Sequence, residues 1–255
     1  MEKNPTLELI EERASTRKFV QEPLTQDEKD AIVHAAFRAP TACNMMMYSM
    51  VEIADKELIA KLAVSCDNQP FIKTAPFILL FVADYQKWVD LYDFTEAHKL
   101  DTKRHHPGEA ELALGICDAL IAAQNTVIAA ESLGIGSCYI GDILENGEQV
   151  AEWLQLPRYT LPITMVVYGK SPRKIATRSR QDKYVLMKDA YHRLDKAELA
   201  EVSDHLDALF APHGFTPPVE NYAQDTFKTK YASDFMEEMS RSVRWWIDRW
   251  CGEQI

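Results

Sequence analysis

The stretch from Glu111 to Asp142, ELALGICDALIAAQNTVIAAESLGIGSCYIGD, constrains the rest of the chain most. From Glu111 to about Leu133 it has no proline and one early glycine, and its Ala, Leu, Ile and Glu content favours helix. Apolar residues fall on nearly every face of that helix: Leu112, Leu114, Ile116, Leu120, Ile121, Val127 and Ile128. A helix that is apolar all round is buried all round. It does not read as a membrane span, because Asp118, Gln124, Asn125 and Glu131 interrupt any apolar run of the needed length. Two places remain for it: the centre of a large core, or the seam between two subunits. Gly134 and Gly136 then stop the helix, since glycine relieves the left-handed strain of a C-terminal cap. Ser137 to Gly141 reads as a short buried strand.

The 255 residues are near the upper limit for a single core. Net charge is 28 − 39 = −11, which argues against nucleic acid or an anionic membrane as a general partner. An anionic ligand would need a local basic pocket. The five cysteines (Cys43, Cys66, Cys117, Cys138, Cys251) are odd in number, widely spaced and free of CxxC pairing. Free thiols in a reducing compartment are the simplest reading. The N-terminal MEKNPTLELIEERAS has no apolar signal core, so a cytoplasmic chain is expected.

Helices are predicted over Thr6 to about Glu12, Thr25 to about Arg38 with a Thr25/Glu28 capping box, Asp55 to Ala63, Asp84 to about His98, Glu148 to Leu154, and Asp195 to Phe210. Residues from about Asp225 to Trp250 also read as mostly helical, ending in Trp245, Trp246 and Trp250, which fit a docking face. Strands are predicted at Tyr48 to Ile53, at Phe77 to Ala83 as a continuous apolar run, and at Leu161 to Tyr168 as another buried strand. Lys99 to Pro107, with an exposed His105-His106 pair, and Thr216-Pro-Pro218 read as loops. Strands scattered between helices suggest one α+β domain with a central sheet.

Four stretches hold candidate chemistry. Arg13, Ser15 and Arg17 alternate just after a helix, so extended backbone would line them along one side of a pocket. Arginine there would grip phosphate or a planar carbonyl edge, although a solvated basic turn reads as well. The Pro40–Met47 loop would offer backbone N–H groups and soft methionine packing, or be a hydrophobic turn. The glycines of 134–141 lack both the P-loop and the dinucleotide spacing; they permit close approach of a ring or strand, or simply cap a helix. Lys170, Arg173, Lys174, Arg178, Arg180 and Lys183 form the one local basic run, open between anion binding and a solvated loop.

Taken in order, these pieces resemble the FMN-dependent nitroreductase family. Arg13-x-Ser-x-Arg17-x-Phe19 is similar to its N-terminal signature, and Ala39-Pro-Thr-Ala-Cys-Asn44 followed by Tyr48-Ser-Met-Val-Glu to its second block. Ala75-Pro76 leading to Ala83-Asp84 resembles the third. Ala122-Ala-Gln-Asn125 through Ala130 to Gly141 resembles the longest and most specific, and Leu161-Pro162 through Tyr168-Gly-Lys-Ser-Pro172 the last. The resemblance covers most of residues 5–192, and the C-terminal helices look like the larger flavin-reductase branch.

The resemblance implies an α+β nitroreductase-like fold: a central mixed or antiparallel sheet flanked by helices, with a long central helix at a homodimer interface. It implies a single domain over 1–255, in which the helices of 195–255 form an extension packing on the dimer. It implies FMN as cofactor and NAD(P)H as co-substrate, with nitroaromatics, quinones or flavins accepting electrons in ping-pong turnover at one face. Residue by residue, Arg13 and Ser15 would hold the phosphate and ribityl end, and Arg17 the pyrimidine edge. Thr41, Ala42, Cys43 and Met46 would line the ring. Gln69 would bond its amide edge, and Tyr139, Ile140 and Gly141 would lie along its face. Arg178 and Arg180 would close on the phosphate. No side chain is expected to do the chemistry itself, and no metal is expected. Met46 stands where the family often has glutamine, and Ala223 and Gln224 stand where the larger branch carries arginines for the NADPH 2′-phosphate. The alternatives are a flavin-binding sensor or carrier without turnover, and a specialised flavin dehalogenase or dehydrogenase on the same fold.

Overall fold

The computed structural model describes residues 4–104, 106–210, 214–215 and 218–252. His105 and the Thr216-Pro217 part of a predicted loop lie outside the described residues. Two compact units are present, one of residues 1–176 with 238–255 and one of residues 177–237.

The first unit is built on a four-stranded sheet in the order β1-β2-β4-β3, with β1 at Tyr48–Glu52, β2 at Phe77–Asp84, β3 at Gly136–Ile140 and β4 at Thr160–Gly169. All three pairings are antiparallel. The two central strands, β2 and β4, are buried at every position, as their largely apolar sequences require, with Thr164 the one polar residue inside β4. Pro162 has no N–H to give the ladder, and it sits where the β2–β4 register slips beside Phe81 and Val82.

Helices α1 (Pro5–Glu12), α2 (Gln26–Phe37), α3 (Lys56–Ser65), α4 (Gln86–Phe94), α5 (Glu109–Ser132) and α6 (Gly147–Trp153) surround this sheet. The Thr25/Glu28 capping box that opens α2 is formed. The aromatic helix α4 is shorter than predicted: it ends at Phe94, where Glu96 turns to a left-handed φ of 55° before a 3-10 turn at Ala97–Lys99.

Helix α5 crosses the sheet and packs on α2 and β2. By length and composition alone it would pass for a membrane span, a test that core helices also pass. Its Gly115 sits so close to the sheet that a Cβ there would lie 3.1 Å from the Met47 carbonyl and 3.2 Å from Ala83. Leu112, Ala119, Ala122, Ala123, Val127 and Ala130 are buried. The expected all-round burial is not met within one chain: Leu114, Leu120 and Ile121 stay exposed, on the side away from the sheet.

The C-terminal helix α9 (Asp234–Cys251) returns to this unit. Trp246 and Trp250 are each 1% exposed, so the tryptophan face is a docking face. Trp250 Nε1 donates to the Gly108 carbonyl at 3.1 Å, and Ser242 Oγ accepts from Gly147 N–H at 2.8 Å. The second unit holds α7 (Lys196–Phe210), α8 (Tyr222–Thr226) and a π turn at Phe227–Tyr231. Its Tyr184 hydroxyl donates to Glu201 at 3.0 Å, and Phe210 stacks on Tyr222 at 4.0 Å between ring centroids.

Candidate functional site

The site is assembled where the chain after α1 meets the free edge of β3. Thr16 N–H donates to the Ser137 carbonyl at 2.8 Å, and Ser15 forms an isolated parallel bridge with Ser137. A short fifth partner therefore lies along the sheet. The contact demands glycine at 136, because any Cβ there would collide with the Thr16 side chain.

Three of the predicted residues converge on β3. Burial pushes the Cys138 thiol up, while the Arg17 guanidinium, the Ser15 hydroxyl and Arg13 pull it back. Burial likewise pushes the Glu131 carboxyl up, with Arg13 opposing. Nη1 of Arg13 is buried and has no hydrogen-bond partner; the same is true of Ser137 Oγ and Glu131 Oε2. An arginine nitrogen left so costs free energy unless an acceptor reaches it.

The Thr41–Met47 loop is a built object. Asp118, 3% exposed and projecting from the middle of α5, organises it. Asp118 Oδ2 accepts from the Thr41 hydroxyl and from Met47 N–H at 3.0 Å, and Oδ1 accepts from Ala42 N–H at 3.1 Å. Thr41 Oγ1 in turn accepts from Met46 N–H at 2.8 Å. These bonds hold Cys43, Asn44 and Met46 at left-handed φ values of 52°, 57° and 49°, which non-glycine residues adopt only when the surroundings enforce it. Trp88 Nε1 adds a bond to the Met45 carbonyl at 3.0 Å. Asp118 and Trp88 are the site's unpredicted supports.

Gln69 follows two left-handed residues, Asp67 and Asn68, and its N–H donates to the Ala63 carbonyl at 2.8 Å. Its Nε2 donates to the Cys66 carbonyl at 3.1 Å and to the Asp142 carboxylate. That contact joins Gln69 to the Tyr139–Gly141 stretch. Tyr139 is held by its hydroxyl donating to Gln124 Oε1 at 3.0 Å, and burial pushes its phenol up to about 12. Ile140 is buried. Gly141 is exposed, and a Cβ built on it would meet nothing within 4 Å. Beyond it, Glu145 is 7% exposed with Oε1 unpartnered.

The basic run divides. Lys170 pairs with Glu22 at 3.0 Å and Glu28 at 3.5 Å, and Lys174 with Glu12 at 2.9 Å, so both serve the N-terminal segment. Arg178 and Arg180 are exposed and belong to the second unit. Among the described residues no group of His, Cys, Asp and Glu is arranged to hold a metal ion.

Residues 10–170 match the model of the nitroreductase family. The chain is 32% identical over 181 residues to an FMN reductase [NAD(P)H] of Bacillus subtilis, covering 69% of this chain and 70% of that protein. It is 28% identical over 237 residues to an oxygen-insensitive NADPH nitroreductase of Salmonella typhimurium, covering 92% of each. The crystal structure of nitroreductase A from Vibrio parahaemolyticus superposes with a TM-score of 0.82 at 22% identity, over 99% of this chain and 100% of that one, and so shares the fold. With its antiparallel sheet, flanking helices and central α5, the chain belongs to the nitroreductase family.

Proposed function

We propose that the Arg13–Arg17 segment, the Thr41–Met47 loop, Gln69 and the Tyr139–Gly141 strand together hold FMN. The chain is an FMN-dependent NAD(P)H oxidoreductase, as its family membership and its FMN reductase and NADPH nitroreductase relatives indicate. The observation that carries the site is the buried Arg13 Nη1 without a hydrogen-bond partner, beside Ser15 and Arg17 on the β3 edge. A protein of net charge −11 binds a dianionic phosphate only through such local cations. The open space over Gly141 suits a flat ring lying against the strand.

In this reading Arg13 and Ser15 bind the phosphate and ribityl end. Arg17 sits at the pyrimidine edge, where a fixed guanidinium favours the more negative, reduced state. Thr41, Ala42, Cys43 and Met46 line the ring, held by Asp118. Gln69 bonds the amide edge, and Tyr139, Ile140 and Gly141 form the wall. When bound, FMN supplies hydride acceptance from NAD(P)H and electron delivery to nitroaromatics, quinones or flavins. The side chains position and tune.

The reading takes residues 1–255 as one nitroreductase-like domain, with the helices from 195 as an extension over a homodimer. The exposed Leu114, Leu120 and Ile121 on α5 support the dimer, since they complete the all-round apolar pattern only against a second copy. Five free cysteines suit a reducing cytoplasm. Ala223 and Gln224 in α8 leave 2′-phosphate recognition to Lys228 and Lys230, which are less directional than arginine.

Purification followed by anaerobic stopped-flow mixing with NADH and NADPH tests the function. Bleaching of the bound flavin by either nucleotide, followed by reoxidation with a quinone or nitroaromatic, is expected. A colourless protein that takes up no FMN overturns the reading. Flavin that binds but is bleached by neither nucleotide points to a sensor or carrier.

A further inference from the structure

The side-chain amide of Gln69 has a donor end and an acceptor end, and its neighbours decide which is which. Nε2 lies 3.1 Å from the Cys66 carbonyl and within hydrogen-bond reach of Asp142 Oδ2. A backbone carbonyl and a carboxylate only accept. Turning the amide over would set Oε1 against both oxygens, so the NH2 end is committed to the protein. Oε1 is left as the amide's contribution to a ligand. The backbone fixes the residue as well: Gln69 N–H is tied to Ala63, and Asp67 and Asn68 take left-handed φ values of 53° and 51°. On the other side of the contact, Glu145 N–H donates to the Asp142 carbonyl at 3.0 Å and closes the turn that follows the open Gly141.

We propose that Asp142 is a positioning residue that locks the Gln69 amide with its carbonyl oxygen toward the ligand, so that the site selects a ring bearing an imide N–H. The inference rests on the flavin reading above. The pyrimidine end of the flavin ring carries one N–H, at N3, between two carbonyls. A locked acceptor recognises that N–H. An amide free to turn over would instead meet a neighbouring carbonyl with its NH2 end and tolerate loss of the N–H. Asp142 thus makes Gln69 a specific reader of the imide, and Cys66 assists through its backbone alone.

Fluorescence titration of the apoprotein with FMN and with 3-methyl-FMN tests this, since neither titration involves turnover. The wild type should bind FMN at least roughly tenfold more tightly than the N3-methylated flavin, as sites built around a hydrogen-bonding group reject analogues lacking it. Asp142→Ala should bring the two affinities to within about threefold while keeping a cooperative thermal melt, because only the neutral Cys66 carbonyl then opposes turning of the amide. Asp142→Asn, whose side-chain oxygen still accepts from Gln69, should restore the wild-type ratio. Should the alanine variant fail to fold, Asp142→Ser takes its place with the same expectation. A wild-type ratio below ten, or a ratio that loss of the carboxylate leaves unchanged, overturns the inference while the flavin reading stands. A wild-type apoprotein that binds neither flavin overturns both.

Discussion

Replacing Glu145 by glutamine should stabilise the protein, and by an amount that depends on pH. The carboxyl is 7% exposed, and its Oε1 lacks a partner. Burial, then Asp142, Asp67 and Glu238, push its pKa from 4.5 up to about 7. Cys66 borders the group too, and Arg241 neutralises Glu238 through bonds of 2.8 and 2.9 Å. The folded chain therefore keeps a proton that the unfolded chain gives up. Between about pH 4.5 and pH 7 the unfolded state binds fewer protons, so this group's contribution to stability falls as pH rises and is level above that window. The full shift would correspond to about 3 kcal/mol at roughly 1.4 kcal/mol per pH unit. Asp67 is exposed, so solvent reaches the cluster's edge, and screening lowers the expected effect to about 1–2 kcal/mol. For a chain of this size that is about 2–8 °C in Tm. Thermal melts of wild type and Glu145→Gln at matched ionic strength should nearly coincide at pH 5, diverge in favour of the variant by pH 7, and stay apart by a constant margin at pH 8. A Tm difference that is flat from pH 5 to pH 8 would refute the reasoning.

Arg17→Ala should keep the fold, because Arg17 is exposed, but weaken FMN binding by roughly 1.5–3 kcal/mol, a tenfold to hundredfold rise in Kd read by fluorescence quenching. Asp118→Ala leaves the Ala42 and Met47 N–H groups and the Thr41 hydroxyl without their acceptor, and should cost about 2–4 kcal/mol. Hydrogen exchange should speed up at Met47 first; protection as in the wild type would remove Asp118 from its assigned role. Leu120→Glu places a charge in the exposed apolar stripe of α5 and should shift the sedimentation coefficient from dimer to monomer. A wild-type protein already monomeric at micromolar concentration would contradict the dimer. Gly136→Ala forces a Cβ into Thr16 and should lower Tm by several degrees, with Thr16→Gly in the same chain recovering part of the loss.

What the sequence disclosed follows from how local each signal is. The unbroken apolar run of Phe77–Ala83 and the largely apolar β4 announce strands covered on both faces, and Thr25 with Glu28 announces the start of α2, because pattern and cap lie within a few residues of each other. The end of α4 was hidden: nothing in Phe94-Thr-Glu96 breaks a helix by composition, yet Glu96 takes a left-handed φ of 55°. The alternation of Arg13, Ser15 and Arg17 was legible because it is a property of the segment alone. That the segment lies parallel to β3 was not, since Ser15 and Ser137 meet only in the folded chain.

Asp118 shows most clearly why the remainder was hidden. In the sequence it is a polar interruption in an apolar helix, and that fact argues only against a membrane. In the fold it is the acceptor for a loop 71–77 residues upstream, and no spacing rule links a helix-borne carboxylate to backbone N–H groups that far away. The same helix must then satisfy three demands at once. Gly115 lets it approach the sheet, Asp118 reaches over to fix the loop, and Leu114, Leu120 and Ile121 form the exposed apolar stripe from which a second copy is proposed. A helix meeting only the first demand would be amphipathic, and one meeting the first and third would be apolar throughout. An all-round apolar helix broken by one buried acid is what all three together require. The buried acid, which sequence alone would discount, therefore ties the Thr41–Met47 loop to α5, the helix that carries the exposed apolar stripe.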